Sequence, residues 1–117
     1  MLVDTSVWVD HLRRRNVVLV TLLEQAQVWT HAFVIGELAC GNVKQRADLL
    51  SAIGTLPHAP IASHDEALAL LETHRLMGKG LGWVDVHLLA SAKLARLSFW
   101  TLDKRLAAAV EALRLQT

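Results

Sequence analysis

A chain of 117 residues with a formal net charge of +1 suits one domain and is too nearly neutral for a strongly basic nucleic-acid coat. Its 53% hydrophobic content fills a core and leaves apolar surface for a partner, and its single cysteine excludes an intrachain disulfide. The start Met1-Leu2-Val3-Asp4 has no basic leader and no apolar run nears about 18 residues, so a cytoplasmic protein without signal peptide or membrane span is expected.

In chain order, residues 1–4 read as a short strand. A helix over 6–13 follows, capped by Thr5 or Ser6, with Val9 and Leu12 inward. Asn16 caps a second helix to Gln27, with Val20, Leu23 and Ala26 on one face, and 28–31 is a strand. The helix over 32–41 stops at Gly41-Asn42 and carries Cys40, expected as a small buried hydrophobe rather than a zinc ligand or nucleophile. Another helix runs over 44–55, with Ala47, Leu50 and Ile53 on a common stripe.

Pro57 and Pro60 leave room for a brief strand near 59–62. Ser63 and Glu66 form a capping box for a helix reaching Met77. The glycines of Gly78-Lys79-Gly80-Leu81-Gly82 make a turn or let backbone pass close to another group; the Gly-Lys-Ser/Thr ending of a phosphate-cradling loop is missing. A helix over 83–94, a strand over 97–102, a helix over 103–113 and a last strand at 115–116 complete the chain. Strands alternating with helices predict a single α/β domain over 1–117, a sandwich around a parallel sheet.

Four acids interrupt apolar stretches: Asp4, Glu37, Asp85 and Asp103. Asp4 and Asp103 lie just past the carboxyl ends of two predicted strands, where open parallel sheets build their sites. Glu37 lies in the helix after a third strand, and Asp85 in the first turn of another helix. A carboxylate at a buried strand end is protonated, hydrogen-bonded or bound to a cation. Gathered together, the four would repel one another unless a hard ion such as Mg²⁺ or Mn²⁺ joined them. Taken singly, Asp4 and Asp103 also suit helix caps, Asp85 a helix-dipole partner and Glu37 a solvated helix residue. Arg13, Arg14, Arg15, Lys79, Lys104 and Arg105 lie near these acids or in exposed-looking segments; such residues more often form a solvated face.

The segments Val3-Asp4-Thr5-Ser6-Val7-Trp8, Ile35-Gly36-Glu37-Leu38 with Gly41, Gly82-Trp83-Val84-Asp85-Val86-His87-Leu88-Leu89-Ala90 and Trp100-Thr101-Leu102-Asp103-Lys104-Arg105-Leu106 resemble PIN domains. The chain is most similar to the VapC-type toxins of bacterial type II toxin–antitoxin pairs. The resemblance implies a three-layer sandwich with sheet order 3-2-1-4-5 and a Mg²⁺- or Mn²⁺-dependent endoribonuclease leaving a 5′-phosphate and a 3′-hydroxyl. It also implies a cognate antitoxin. It carries the metal-binding and catalytic roles onto Asp4, Glu37, Asp85 and Asp103, with Ser6 and Thr101 orienting carboxylates by hydrogen bonds. The apolar surplus suggests a homodimer.

Two other readings compete. A non-catalytic module would keep the scaffold to grip RNA or a partner. An aspartyl phosphoryl-transfer protein would use Asp4 as nucleophile, but the second Asp expected two residues later is Ser6. His11, His58, His64 and His74 read as surface residues, His87 as pointing away, and His31 as ending a strand within reach of the site; none is assigned to the chemistry. The tryptophans at 8, 29, 83 and 100 suit core packing or a partner surface better than base stacking.

Overall fold

Two very short strands anchor the molecule: β1 (Leu2–Val3) and β2 (Phe99–Trp100). They pair in parallel with Leu2 opposite Phe99 and Val3 opposite Trp100. Residues 1–115 are described, by a computed structural model. Leu2 and Val3 are fully buried, which explains an apolar run without polar alternation. The last rung is Asp4 N–H to the Trp100 carbonyl at 2.9 Å; beyond it both chains turn into helices.

The expected strand at 28–31 contracts to isolated parallel bridges, Trp29 with Leu2 and Thr30 with His58; residues 59–62, expected as a brief strand, form none, the bridge falling one residue earlier at His58. On the other side the Leu115 carbonyl accepts from Phe99 N–H at 2.9 Å; Gln116, the second residue of the expected last strand, lies outside the described residues. The chain is therefore α/β, with a smaller regular sheet than its pattern suggested.

Seven helices are described: α1 (Thr5–Arg13), α2 (Val17–Glu24), α3 (Ala32–Cys40), α4 (Arg46–Gly54), α5 (His64–Thr73), α6 (Trp83–Leu94) and α7 (Lys104–Ala112). Several of their starts follow local chemistry, although α4 begins after a left-handed Gln45 with no side-chain cap. Asn16 Oδ1 accepts from Leu19 N–H, and Ser63 and Glu66 form the reciprocal capping box. Their ends do not. After α2, α5, α6 and α7 the chain turns through a left-handed residue that is not glycine: Ala26, Arg75, Arg96 and Arg114, with φ of 56°, 51°, 55° and 58°. Each is followed by a bond back over the helix end, such as Leu97 N–H to the Ala92 carbonyl at 2.9 Å. This is the Schellman closure built without its usual residue. It ends α2 at Glu24 and α5 at Thr73, before the expected Gln27 and Met77.

Two further expectations need correction. On α1 the buried residues are Val7 and Trp8; Val9 is half-buried and Leu12 is exposed. The helix is capped by Asp4, whose bond to Thr101 sets its azimuth. Cys40 is exposed. On α3 the buried stripe is Val34 and Leu38, and Cys40 sits about 200° around the helix from Leu38.

Candidate active site

Asp4 is buried, 6% exposed, at the end of β1. Its Oδ2 accepts from Ser6 Oγ at 2.7 Å, Thr101 Oγ1 at 2.8 Å and, more weakly, Ser6 N–H at 3.4 Å. Ser6 Oγ in turn accepts from Leu102 N–H at 3.0 Å, and Thr101 Oγ1 from Asp103 N–H at 3.1 Å. Two hydroxyls thus lock the β1–α1 junction to the β2–α7 junction. They also give a buried carboxylate oxygen the donors it needs.

Asp103 caps α7, its Oδ1 accepting from Arg105 N–H at 2.9 Å and Leu106 N–H at 3.1 Å. Asp85 sits in the first turn of α6, with Oδ2 accepting from Gly82 N–H at 2.9 Å. Burial raises the Asp85 carboxyl above its ordinary range; the Gly82 bond opposes this, and the charges of Asp4 and Asp103 add to the rise. Asp85 thus feels the charges of Asp4 and Asp103, which come from two distant stretches of chain. Glu37 lies elsewhere, on the surface of α3. It is exposed on α3 and accepts a 2.6 Å bond from Thr5 Oγ1, the residue beside Asp4. Thr5 was read as a cap; its position directly after Asp4 was the available signal for its second role.

A common pattern links the four. Each carboxylate has one oxygen held by protein donors: Oδ2 of Asp4 and Asp85, Oδ1 of Asp103 and Oε1 of Glu37. The other oxygen accepts no hydrogen bond from the described residues. Hard, all-oxygen donors with one free atom apiece have the chemistry a small divalent cation needs. Among the described residues no group of three or more His, Cys, Asp or Glu is arranged to hold a metal ion as the side chains stand.

His31 does not join the acids. It is fully buried and caps α3, Nδ1 accepting from Phe33 N–H at 2.9 Å, while Nε2 lies 2.9 Å from Ser91 Oγ. Burial, then the neighbouring His87 and His58, lower its pKa to about 4. His87 is also buried and packs edge-on against Phe33 and Trp83. His11, expected at the surface, is half-buried, its Nδ1 accepting from Asn16 N–H. Trp8 is core, whereas Trp83 is 41% exposed beside His64.

The PIN-domain family model matches residues 1–112. The chain belongs to the PIN-domain family. It is similar to Ribonuclease VapC32 of Mycobacterium tuberculosis, strains CDC 1551 / Oshkosh and ATCC 25618 / H37Rv, at 49% identity over 112 residues, covering 93% of this chain and 89% of the relative. No solved structure matched. In this PIN domain Asp4 and Asp103 lie where β1 and β2 hand over to helices, and the hydroxyl pair Ser6 and Thr101 ties those two handovers together.

Proposed function

We propose that this PIN domain, a single domain over residues 1–117, is a Mg²⁺- or Mn²⁺-dependent endoribonuclease. It is the toxin half of a type II toxin–antitoxin pair. The observation that carries the reading is that four acids from distant stretches of chain each have one carboxylate oxygen tied by protein donors and the other free. Without a cation such a cluster only costs stability; with one, repulsion becomes affinity. The 49% identity to Ribonuclease VapC32 supports RNA as the substrate class.

In this reading Asp4, Asp85 and Asp103 offer their free oxygens to the ion, and Glu37 binds it or orients the attacking water. When bound, the ion polarises the phosphodiester and acidifies that water. Ser6 and Thr101 hold Asp4 in one rotamer, so its free oxygen is aimed rather than mobile. Gly82 N–H and the α7 amides do the same for Asp85 and Asp103. The products are a 5′-phosphate and a 3′-hydroxyl.

The scaffold in this reading is the three-layer sandwich with strand order 3-2-1-4-5. Support comes from Ala59 N–H to Thr30 O, Trp29 N–H to Met1 O and Phe99 N–H to Leu115 O, which chain the segments laterally in that order. A cognate antitoxin, homodimerisation and a cytoplasmic location complete the proposal. Exposed Val17 and Val18, at 68% and 59%, support an apolar partner surface on α2. No helix among the described residues is long and apolar enough to cross a membrane.

The test is incubation of the purified protein with total cellular RNA, with Mn²⁺, with Mg²⁺ and with excess chelator, followed by mapping of both new ends. Metal-dependent cuts bearing 5′-phosphates are expected. Cutting that survives the chelator would defeat the metal reading; no cutting in any metal would defeat the nuclease reading.

A further inference from the structure

Beside Asp103 and the Gly78–Gly82 loop lies a cavity of about 520 Å³ that the acids do not use. That size suits a small organic ligand or one unit of a polymer. Its rim carries His74, Lys79, Lys104 and Arg105, and no acidic residue lines it. Its apolar lining is Leu76 and Ala109, which are buried, with exposed Met77, Ala108 and Ala112. None of the rim cations pairs with a carboxylate among the described residues, where the ion pair formed is Arg14 with Asp10.

The loop is shaped around one of these cations. Gly80 has φ of +77°, and a Cβ there would lie 2.6 Å from Arg105 Cδ and 2.8 Å from its Nη1. A side chain at position 80 would be strained at this φ and would push the Arg105 side chain from its place across the loop backbone. Arg105 also follows Asp103 by two residues and gives it a backbone N–H. The cavity runs along α7 for about 12 Å, from Lys104 to Ala112, and two of its walls lead toward the acids: Lys104 follows Asp103 directly, and Gly78 and Lys79 begin the loop that ends at Gly82, the donor to Asp85.

We infer that this cavity is the subsite for the RNA nucleotide flanking the scissile phosphodiester. Lys79, Lys104 and Arg105 hold its phosphate, and the apolar lining receives its base. Cations beside an apolar shelf match the alternation of phosphate and base in a single strand. Asp103 and Asp85 repel either kind of polyanion, so the choice of RNA over an acidic peptide follows from the nuclease fold. The inference rests on the ribonuclease reading, and it assigns binding, not chemistry, to these side chains.

The test compares Lys79→Gln, Lys104→Gln and Gly80→Ala with the parent. Binding of a labelled 12-residue single-stranded RNA is followed by anisotropy in chelator across a salt series, and steady-state cleavage is measured in Mn²⁺. Each lysine variant should bind about 3- to 10-fold more weakly, with the slope of log affinity against log salt reduced by about 0.7. Its KM should rise several-fold with kcat within about twofold, since a non-reacting phosphate is held equally in ground and transition states. Gly80→Ala should weaken binding in the parent and have no further effect in Arg105→Gln. Far-ultraviolet dichroism and Tm verify folding of each variant.

If the parent binds and cuts RNA while both lysine variants match it in affinity and salt slope, the subsite is overturned and the ribonuclease reading stands. Unchanged RNA binding with lost binding of polyglutamate would also overturn it, in favour of an acidic protein partner. A parent that neither binds nor cuts RNA would overturn both.

Discussion

Acidification should destabilise this protein through His31, well above the range where most carboxylates titrate. His31 is 0% exposed, and its Nδ1 must remain an acceptor to cap α3, the helix that carries Glu37. Its pKa falls from 6.5 to about 4 in the fold. The unfolded chain therefore binds a proton between those values while the native state does not. The stabilisation is fully present above pH 6.5 and is lost as pH falls toward 4. Between neutrality and about pH 4.5 the loss is about 2–3 kcal/mol, a large part of a small domain's stability. Urea unfolding at several pH values, for the parent and His31→Asn, isolates the contribution. Asn caps as well as His and does not titrate in this range. The stability difference between the two proteins should shrink by about 2–3 kcal/mol on acidification. A difference that stays constant over that range would refute the buried neutral histidine.

Three further outcomes follow from the site and the helix ends. Asp85→Asn should abolish cleavage, by about a thousandfold or more, and raise the metal-free Tm. The Asp85 carboxyl has a raised pKa in the fold, so its ionised form costs stability as pH rises through that value; a lower Tm at neutral pH would count against the coupling. Thr101→Val removes the 2.8 Å donor to Asp4 and the acceptor for Asp103 N–H, and should cut activity about 10- to 100-fold and stability by about 1–2 kcal/mol. Single-turnover cleavage and urea unfolding measure both, and a fully active variant would remove Thr101 from the site. Arg96→Gly should stabilise by up to about 1 kcal/mol, because Arg96 holds φ of 55° without glycine's freedom; thermal melts that show a loss would refute that account.

The sequence by itself determined the alternation of apolar strand segments with helices and the starts of α2 and α5. Capping is written within four residues, so Asn16, Ser63 and Glu66 could be read directly. It also marked the four acids, because a carboxylate beside an apolar run demands an explanation. Helix ends were not legible at Ala26 and Arg75, since a left-handed turn there is imposed by packing rather than signalled by glycine. Strand lengths were not legible either: an apolar run says that a segment is buried, not how many of its amides find a partner chain.

Only the tertiary structure decided which oxygen of each acid is tied and which is free. Those donors come from residues such as Thr101, 97 positions from Asp4, and Thr5, 32 positions from Glu37. It likewise turned His31 into the core, left Cys40 at the surface and laid Arg105 over Gly80. Contacts between distant parts of a chain are fixed by shape and packing across the whole fold, and no local pattern of residue types records them.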